Sequence, residues 1–440
     1  MTDEQRLQKN RQIKETRRAT AVRRQSQFPL TFTLKVRNEK RNIKNNVFGE
    51  LQLLFAEAKW VRNSLIAQLN SGRKINEFSY KDFKSVVHYD KDKNEIVSDV
   101  KQLRTSMRDE VVIEVRNNIK ALSSSKKRGK QVGSLKFESD HKRIHLRQYR
   151  VTHEITGQNS IRIQGFSHEV RVAGLRQLRT LDKSGIEYEM TTADIIKRDD
   201  DFYVNITVFV DKDVWNAYQE NKRNKRNNRR NNLVIHDINA LDMGCLKTAT
   251  DAYGKVYNST VEETERLKRL QRKLQRQKKG SNNYKKTLKQ LHREYERNDN
   301  LKEQHAIELV NEMLDTNEVI IIQDENLEGW KRKHGRKVQH GILGRVKQRL
   351  MQSDRVHVID RFVPTTKLCT NCGKMHSAIT ERERTFVCPH CGHDDGERDT
   401  HSAKDMIWLY QNLKEYIGLD GSEFKRCEFD EALRERFSGH

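Results

Sequence analysis

Four cysteines stand in two pairs, Cys369-Thr370-Asn371-Cys372-Gly373 and Cys388-Pro389-His390-Cys391-Gly392, with 15 residues between the pairs. A Cys-x-x-Cys-Gly turn points two thiolates inward while the glycine relaxes the backbone, and two such knuckles complete a tetrahedral four-sulfur site that suits Zn2+. Four protein ligands leave no coordination position open, so the zinc expected at Cys369, Cys372, Cys388 and Cys391 is structural. A redox dithiol pair is the lesser alternative. His376, His390 and His393 are surplus to a four-cysteine site, and Cys245 and Cys427 lack a partner motif and read as ordinary thiols.

A second set consists of carboxylates at element ends: Asp242 in Ala240-Leu241-Asp242-Met243-Gly244, and Asp399 in Glu397-Arg398-Asp399-Thr400-His401. Phosphodiester hydrolysis with two Mg2+ ions needs acidic ligands converging from different elements, one ion activating water and the other stabilising the leaving oxygen. Spacing alone does not single these two out among 62 acidic residues. A helix cap would explain Asp399 equally well.

The elements that must position these residues follow from periodicity. Phe28 to Val36 alternates apolar and polar side chains, which predicts a half-buried strand. Val47, Leu51, Leu54, Phe55, Ala58, Val61, Leu65 and Leu69 recur at helical spacing, and a second helix is expected over 98–121. Ser123 to Lys130 reads as a basic loop, and short strands resume over 134–212. Residues 1–26 are basic and nearly free of large apolar side chains, which predicts a mobile arm. NKRNKRNNRRNN at 221–232 reads as a charged linker. Beyond it come paired strands over 233–250, a capping box at Thr260 and Glu263, and a polar-faced helical hairpin broken at Gly280. Val319-Ile320-Ile321-Ile322 then fits a strand buried on both faces.

The partner class follows from charge. The 440 residues carry 86 Lys+Arg against 62 Asp+Glu, a formal net charge of +24, which points to nucleic acid. No run approaches the roughly 18 consecutive apolar residues of a membrane span, and residues 1–25 lack the apolar segment of a signal peptide. A protein that stays inside the cell is expected, with no membrane partner.

The order A-L-D-M-G, K-T-A-T, basic hairpin, I-I-I-Q-D-E-N-L-E-G-W, two Cys-x-x-Cys pairs and E-R-D-T-H-S-A-K-D-M resembles the RuvC half of the TnpB transposon-encoded nucleases and of their descendants, the compact type V CRISPR effectors. The resemblance covers about 233–415 and is specific because the ribbon lies inside the nuclease fold, just ahead of the last acidic motif. It implies a multidomain α+β protein: a basic arm at 1–26, a β-barrel wedge domain at 27–45 and 136–221, and a helical recognition domain at 46–135. A basic linker at 222–232, an RNase H-like RuvC domain at 233–366 and 395–415, an inserted zinc ribbon at 367–394 and a tail at 416–440 complete the plan. The implied activity is Mg2+-dependent, guide-RNA-directed cleavage of double-stranded DNA beside a short motif, by a monomer or by a homodimer on one guide.

The resemblance places Asp242 on the first acidic position, Asp399 on the third and Gln323 where the family has Glu. Gln keeps the shape but not the charge, which implies impaired cleavage. Three readings stand open: a Glu replaced to trap an uncleaved complex, a natural guided binder or repressor, or substitution by Glu325, which would lie roughly 7 Å further along if the strand continued. On the first, Gln323→Glu would confer cutting. Nucleic-acid contacts are expected at Lys126, Lys127, Arg128, Arg229, Arg230, Lys331, Arg332 and Lys333, with Trp330 beside them a candidate to meet a base. The rival functions are a transposase and a basic zinc-ribbon RNA binder.

Overall fold

The structure, a computed structural model, describes residues 3–89, 94–227, 234–377, 379–380 and 383–438. The chain divides into two compact units, Met1–Asn221 and Lys222–His440.

In the first unit, Asp201–Asp211 alternates buried and half-buried residues along its length, the period-two pattern of a strand with one face in a core. It pairs antiparallel with Gln27–Val36 on one side and Tyr188–Arg198 on the other. Arg143–Leu146, Val170–Ala173, Ser160–Ile163 and His153–Gly157 extend these into a seven-stranded, nearly closed, barrel-like sheet. Its core takes Leu34, Ile144, Val172, Ile195, Val204 and Ile206, and also the apolar faces of two helices, Val47–Asn70 and Thr105–Lys127. Buried Glu57 on the first of these accepts from the backbone N–H of Lys101 (2.9 Å) and Leu103 (2.6 Å), which fixes the entry to the second.

Two expectations change here. The N-terminal arm is a helix, Asp3–Gln25, rich in the strong helix formers Arg, Gln, Lys, Glu and Ala, and Arg23 and Arg24 in its last turn pair with Glu189. The basic loop is shorter than expected, because the second long helix runs on to Lys127 and stops ahead of Gly129 at φ +73°. Lysines in a last turn suit the negative end of the helix dipole.

In the second unit a five-stranded sheet has the order Val256–Tyr257, Ala249–Asp251, His236–Met243, Asn317–Gln323, Val356–Ile359. The first three form an antiparallel meander, and the last two run parallel to His236–Met243. Helices cover both faces, and Val319-Ile320-Ile321-Ile322 in the middle of the sheet is accordingly apolar without a break. On one face Leu241, Ile320 and Ile322 meet Ala306, Val310 and Met313 of the 35-residue helix Asn282–Thr316, and Val346 and Leu350 of Leu343–Leu350. On the other, Ala240 and Ile321 meet Ala403, Met406 and Leu409 of Arg398–Asn412. The hairpin is completed by Glu265–Gln275, capped by Thr264 rather than Thr260, its side chain accepting from Leu267 N–H at 3.1 Å.

Two more corrections concern segments read as irregular. The helix Lys212–Asn227 occupies the first half of the expected linker. Its Arg223 binds Glu318 through two nitrogens (2.9 and 3.0 Å), and Arg226 does the same to buried Asp315 (2.7 and 3.0 Å). The expected tail holds the helix Arg426–Phe437, whose Phe429, Ala432 and Leu433 bury against Arg398–Asn412 at helical spacing. Among the described residues no helix is long and apolar enough to cross a membrane.

Candidate active site and metal centre

Asp242 lies near the C-terminal end of His236–Met243 and points to the face that Ala240 shares with Arg398–Asn412. Asp399 is the second residue of that helix. Both line one cleft of about 810 Å³, together with Glu325, Lys247, Arg398 and Trp330. Burial raises the Asp242 carboxyl well above the usual range, and Asp399 and then Glu325 push it the same way, while Arg398 and Lys247 offset part of the effect. Burial likewise lifts Glu325 to about 7 against the pull of Lys347. Asp242 thus sits in the field of both Asp399 and Glu325 in a partly dry cleft, and the carboxylate oxygens of all three are of the kind divalent cations prefer.

Gln323, expected at the second acidic position, lies outside that cleft. Its Nε2 donates to the carbonyls of Val363 (2.7 Å) and Asp360 (3.1 Å), and its Oε1 accepts from Thr365 Oγ1 (3.0 Å). Thr365 Oγ1 in turn accepts from Ser402 Oγ at 3.1 Å. The amide thus ties the strand end to loop 360–365 and to the acid-bearing helix. Beyond it the strand stops. Asp324 N–H still bonds Ile359 O at 2.8 Å, but the Asp324 carboxylate is held by Lys347 (2.8 Å) and Arg361, and Lys347 also donates to Glu325 O at 3.1 Å. Asn326 then caps the helix Leu327–His340 by accepting from Gly329 N–H at 3.1 Å. This turn, not a continued strand, swings Glu325 into the cleft.

Cations stand beside the acids. Arg398 Nη2 donates to Asp399 Oδ1 at 2.9 Å and its Nη1 to Thr380 O at 3.2 Å, and Lys247 pairs with Glu397. Sequence reasoning singled out neither, though Lys247 opens the K-T-A-T motif and Arg398 directly precedes Asp399.

The four cysteines converge as their spacing requires, with all four sulfurs within 4.8 Å of one another. Cys369 Sγ lies 3.7 Å from Cys391 Sγ, and Cys372 Sγ 3.7 Å from Cys388 Sγ. These separations exceed an S–S bond and fit the edges of a tetrahedral zinc site. In each knuckle the glycine N–H returns to the first cysteine's carbonyl, Gly373 to Cys369 at 2.8 Å and Gly392 to Cys388 at 2.9 Å. Both glycines take positive φ, +70° and +73°. Burial pushes the Cys369 and Cys372 thiols up, whereas exposed Cys391, beside the Asn371 amide, is pulled down to about 6.

The expected nucleic-acid contacts scatter. Lys126, Lys127 and Arg128 are exposed at the end of Thr105–Lys127. Lys331, Arg332 and Lys333 lie on Leu327–His340, Arg332 being exposed. Arg229 and Arg230 fall outside the described residues.

Residues 349–406 match the family described as Cas12f1-like, TNB domain. The TNB match begins at the end of Leu343–Leu350, contains both cysteine knuckles and reaches past Asp399 into the acid-bearing helix. It supports kinship with Cas12f and TnpB proteins, a family of compact RNA-guided nucleases. No curated protein matches the chain.

Proposed function

We propose that this chain is an RNA-guided DNA endonuclease in which Asp242, Glu325 and Asp399 form the cutting site. The observation that carries the reading is the convergence of these three carboxylates in one cleft, inside a chain bearing a TNB domain. The mixed sheet, with a reversed second strand and helices on both faces, supports the RNase H-like reading that the resemblance implies.

Bound Mg2+ would supply an activated water and charge stabilisation for the leaving oxygen. The three carboxylates would hold it. Lys247 and Arg398 give the cleft a basic side against which a phosphodiester backbone can lie, and Trp330 offers a ring on which a base can stack. Lys347 and Arg361 act one step back, fixing the turn that delivers Glu325. In this reading the displaced and paired strands reach the same cleft in turn.

In this reading cutting does not depend on Gln323, and the natural binder that never cleaves is the alternative that a cleavage assay tells apart. The decisive experiment loads the protein with RNA transcribed from its native flanking DNA and assays Mg2+-dependent cutting of matched targets. Wild type should cut, whereas Glu325→Gln and Asp242→Asn should lose at least about a thousandfold in rate, roughly 4 kcal/mol of barrier, with target binding retained. Wild-type rates in Glu325→Gln would overturn the assignment.

A further inference from the structure

The acid-bearing helix Arg398–Asn412 begins without a side-chain cap: Glu397 at its N-cap makes no capping bond. The first N–H groups of any helix lack intrahelical partners; here Arg398 N–H donates to Arg384 O at 2.8 Å, and Asp399 follows in the same turn. Catalytic groups work only when held to about 0.5 Å. Besides the bonds of Ser402 and Arg398, a cluster of buried polar groups lies beside this turn.

Asp395, in the ribbon strand Asp394–Glu397 that leads into the helix, accepts from His401 Nδ1 (2.8 Å) and Lys404 Nζ (2.9 Å). It thereby clips the strand to the helix's second turn. The other imidazole nitrogen, His401 Nε2, faces Asp405 Oδ2 of the same helix at 3.4 Å without a hydrogen bond between them, and Asp405 makes its own tie to the ribbon, its Oδ1 accepting at 3.0 Å from Thr370 Oγ1 inside the first cysteine knuckle. The His401 ring stacks on Phe386, centroids 3.4 Å apart and planes within 12°, and Phe386 packs with Cys369 and Cys388. His401 and Asp405 are fully buried.

We propose that His401 is a positioning residue for Asp399: with Asp395, Asp405 and Thr370 it locks the start of the acid-bearing helix to the zinc ribbon, so that the ribbon's fold sets the affinity of the cutting site for its divalent cation. This rests on the role proposed above for Asp399. The cluster makes no contact with substrate and works through the helix.

The test uses full-length protein carrying His401→Leu, His401→Asn or Thr370→Val. In His401→Leu the Mg2+ concentration for half-maximal cutting should rise about 10-fold or more, the range expected when an outer partner of a metal ligand is lost, while zinc content and target binding stay at wild type. His401→Asn retains an N–H for Asp395 and should stay within about 3-fold on the same grounds. A second readout needs no cutting: amide hydrogen exchange in the first turns of Arg398–Asn412 should speed up in His401→Leu and much less in His401→Asn. If His401→Leu sheds its zinc, Thr370→Val, which removes one hydroxyl from the same cluster, carries the comparison.

An unchanged Mg2+ requirement in a zinc-retaining His401→Leu protein that cuts overturns the proposal. Should wild type itself fail to cut, the function proposed above falls, and unchanged exchange in His401→Leu then overturns the positioning role separately.

Discussion

At Gln323 the amide is needed as an amide. Its nitrogen gives both hydrogens to carbonyl oxygens that a carboxylate would face with like partial charge, and the residue is only 9% exposed. Gln323→Glu should therefore cost about 2 kcal/mol or more, the penalty for leaving buried acceptors unpaired, and should gain no cutting. Thermal unfolding checks the first part and target cleavage the second. Unimpaired stability with new cutting would restore the family glutamate to position 323. The placement of this residue outside the cleft has a physical origin: counting residues by motif assumes that the strand continues, whereas it stops and turns, its Asp324 gripped by Lys347 and Arg361 more than twenty residues on. The local signal is Asn326, an N-cap residue that announces the helix Leu327–His340 but not the direction in which Glu325 points. Glu325 carries a further expectation. Its carboxyl sits near 7, raised from an ordinary 4.5, so the folded metal-free protein holds a proton that the unfolded chain has released. Stability without metal should thus decline as pH rises from about 4.5 towards 7. Mg2+ prefers the ionised form, so the gain in melting temperature on adding Mg2+ should grow over the same window and shrink in Glu325→Gln.

Among the elements, the ribbon was the most legible, because two Cys-x-x-Cys-Gly motifs at ribbon spacing leave few ways to fold. The helix resting on it was not. Arg426–Phe437 lies beyond the motifs and reads as a polar tail, yet its Phe437 covers Gly373 closely enough that a Cβ there would come within 2.5 Å of the ring. With φ at +70° as well, Gly373→Ala should destabilise the ribbon by about 1 to 2 kcal/mol from backbone strain alone, and by more from the overlap. Adding Phe437→Ala should relieve the overlap and leave the strain, so thermal melts of the single and double variants should separate the two terms. Complete rescue would mean that the knuckle tolerates a Cβ at this φ. The helix over the first half of the linker was missed for a related reason. Arg223 and Arg226 share a helix face and are satisfied by Glu318 and Asp315, partners some ninety residues away that no local window contains.

For the whole molecule, a net charge of +24 names the class of partner but not where it binds. The excess is spread over many exposed lysines and arginines, and a solvated charge and a phosphate contact look alike in sequence. Counterion release tells them apart. Each phosphate neutralised adds about 0.7 to 0.9 to the slope of log affinity against log salt, whereas a cation facing only water adds nothing. Lys126, Lys127 and Arg128 offer the cleanest case, being adjacent, exposed and remote in sequence from the acids. If they grip the backbone of a bound RNA, replacing all three with alanine should lower that slope by about 2 to 3 and weaken binding most at low salt, with cutting at saturating RNA unchanged. Titrating the RNA recovered with the protein across a range of salt concentrations reads this directly. An unaltered slope would return these residues to the solvated surface and turn the search to the basic helix Leu327–His340, which follows Glu325 at the edge of the cleft.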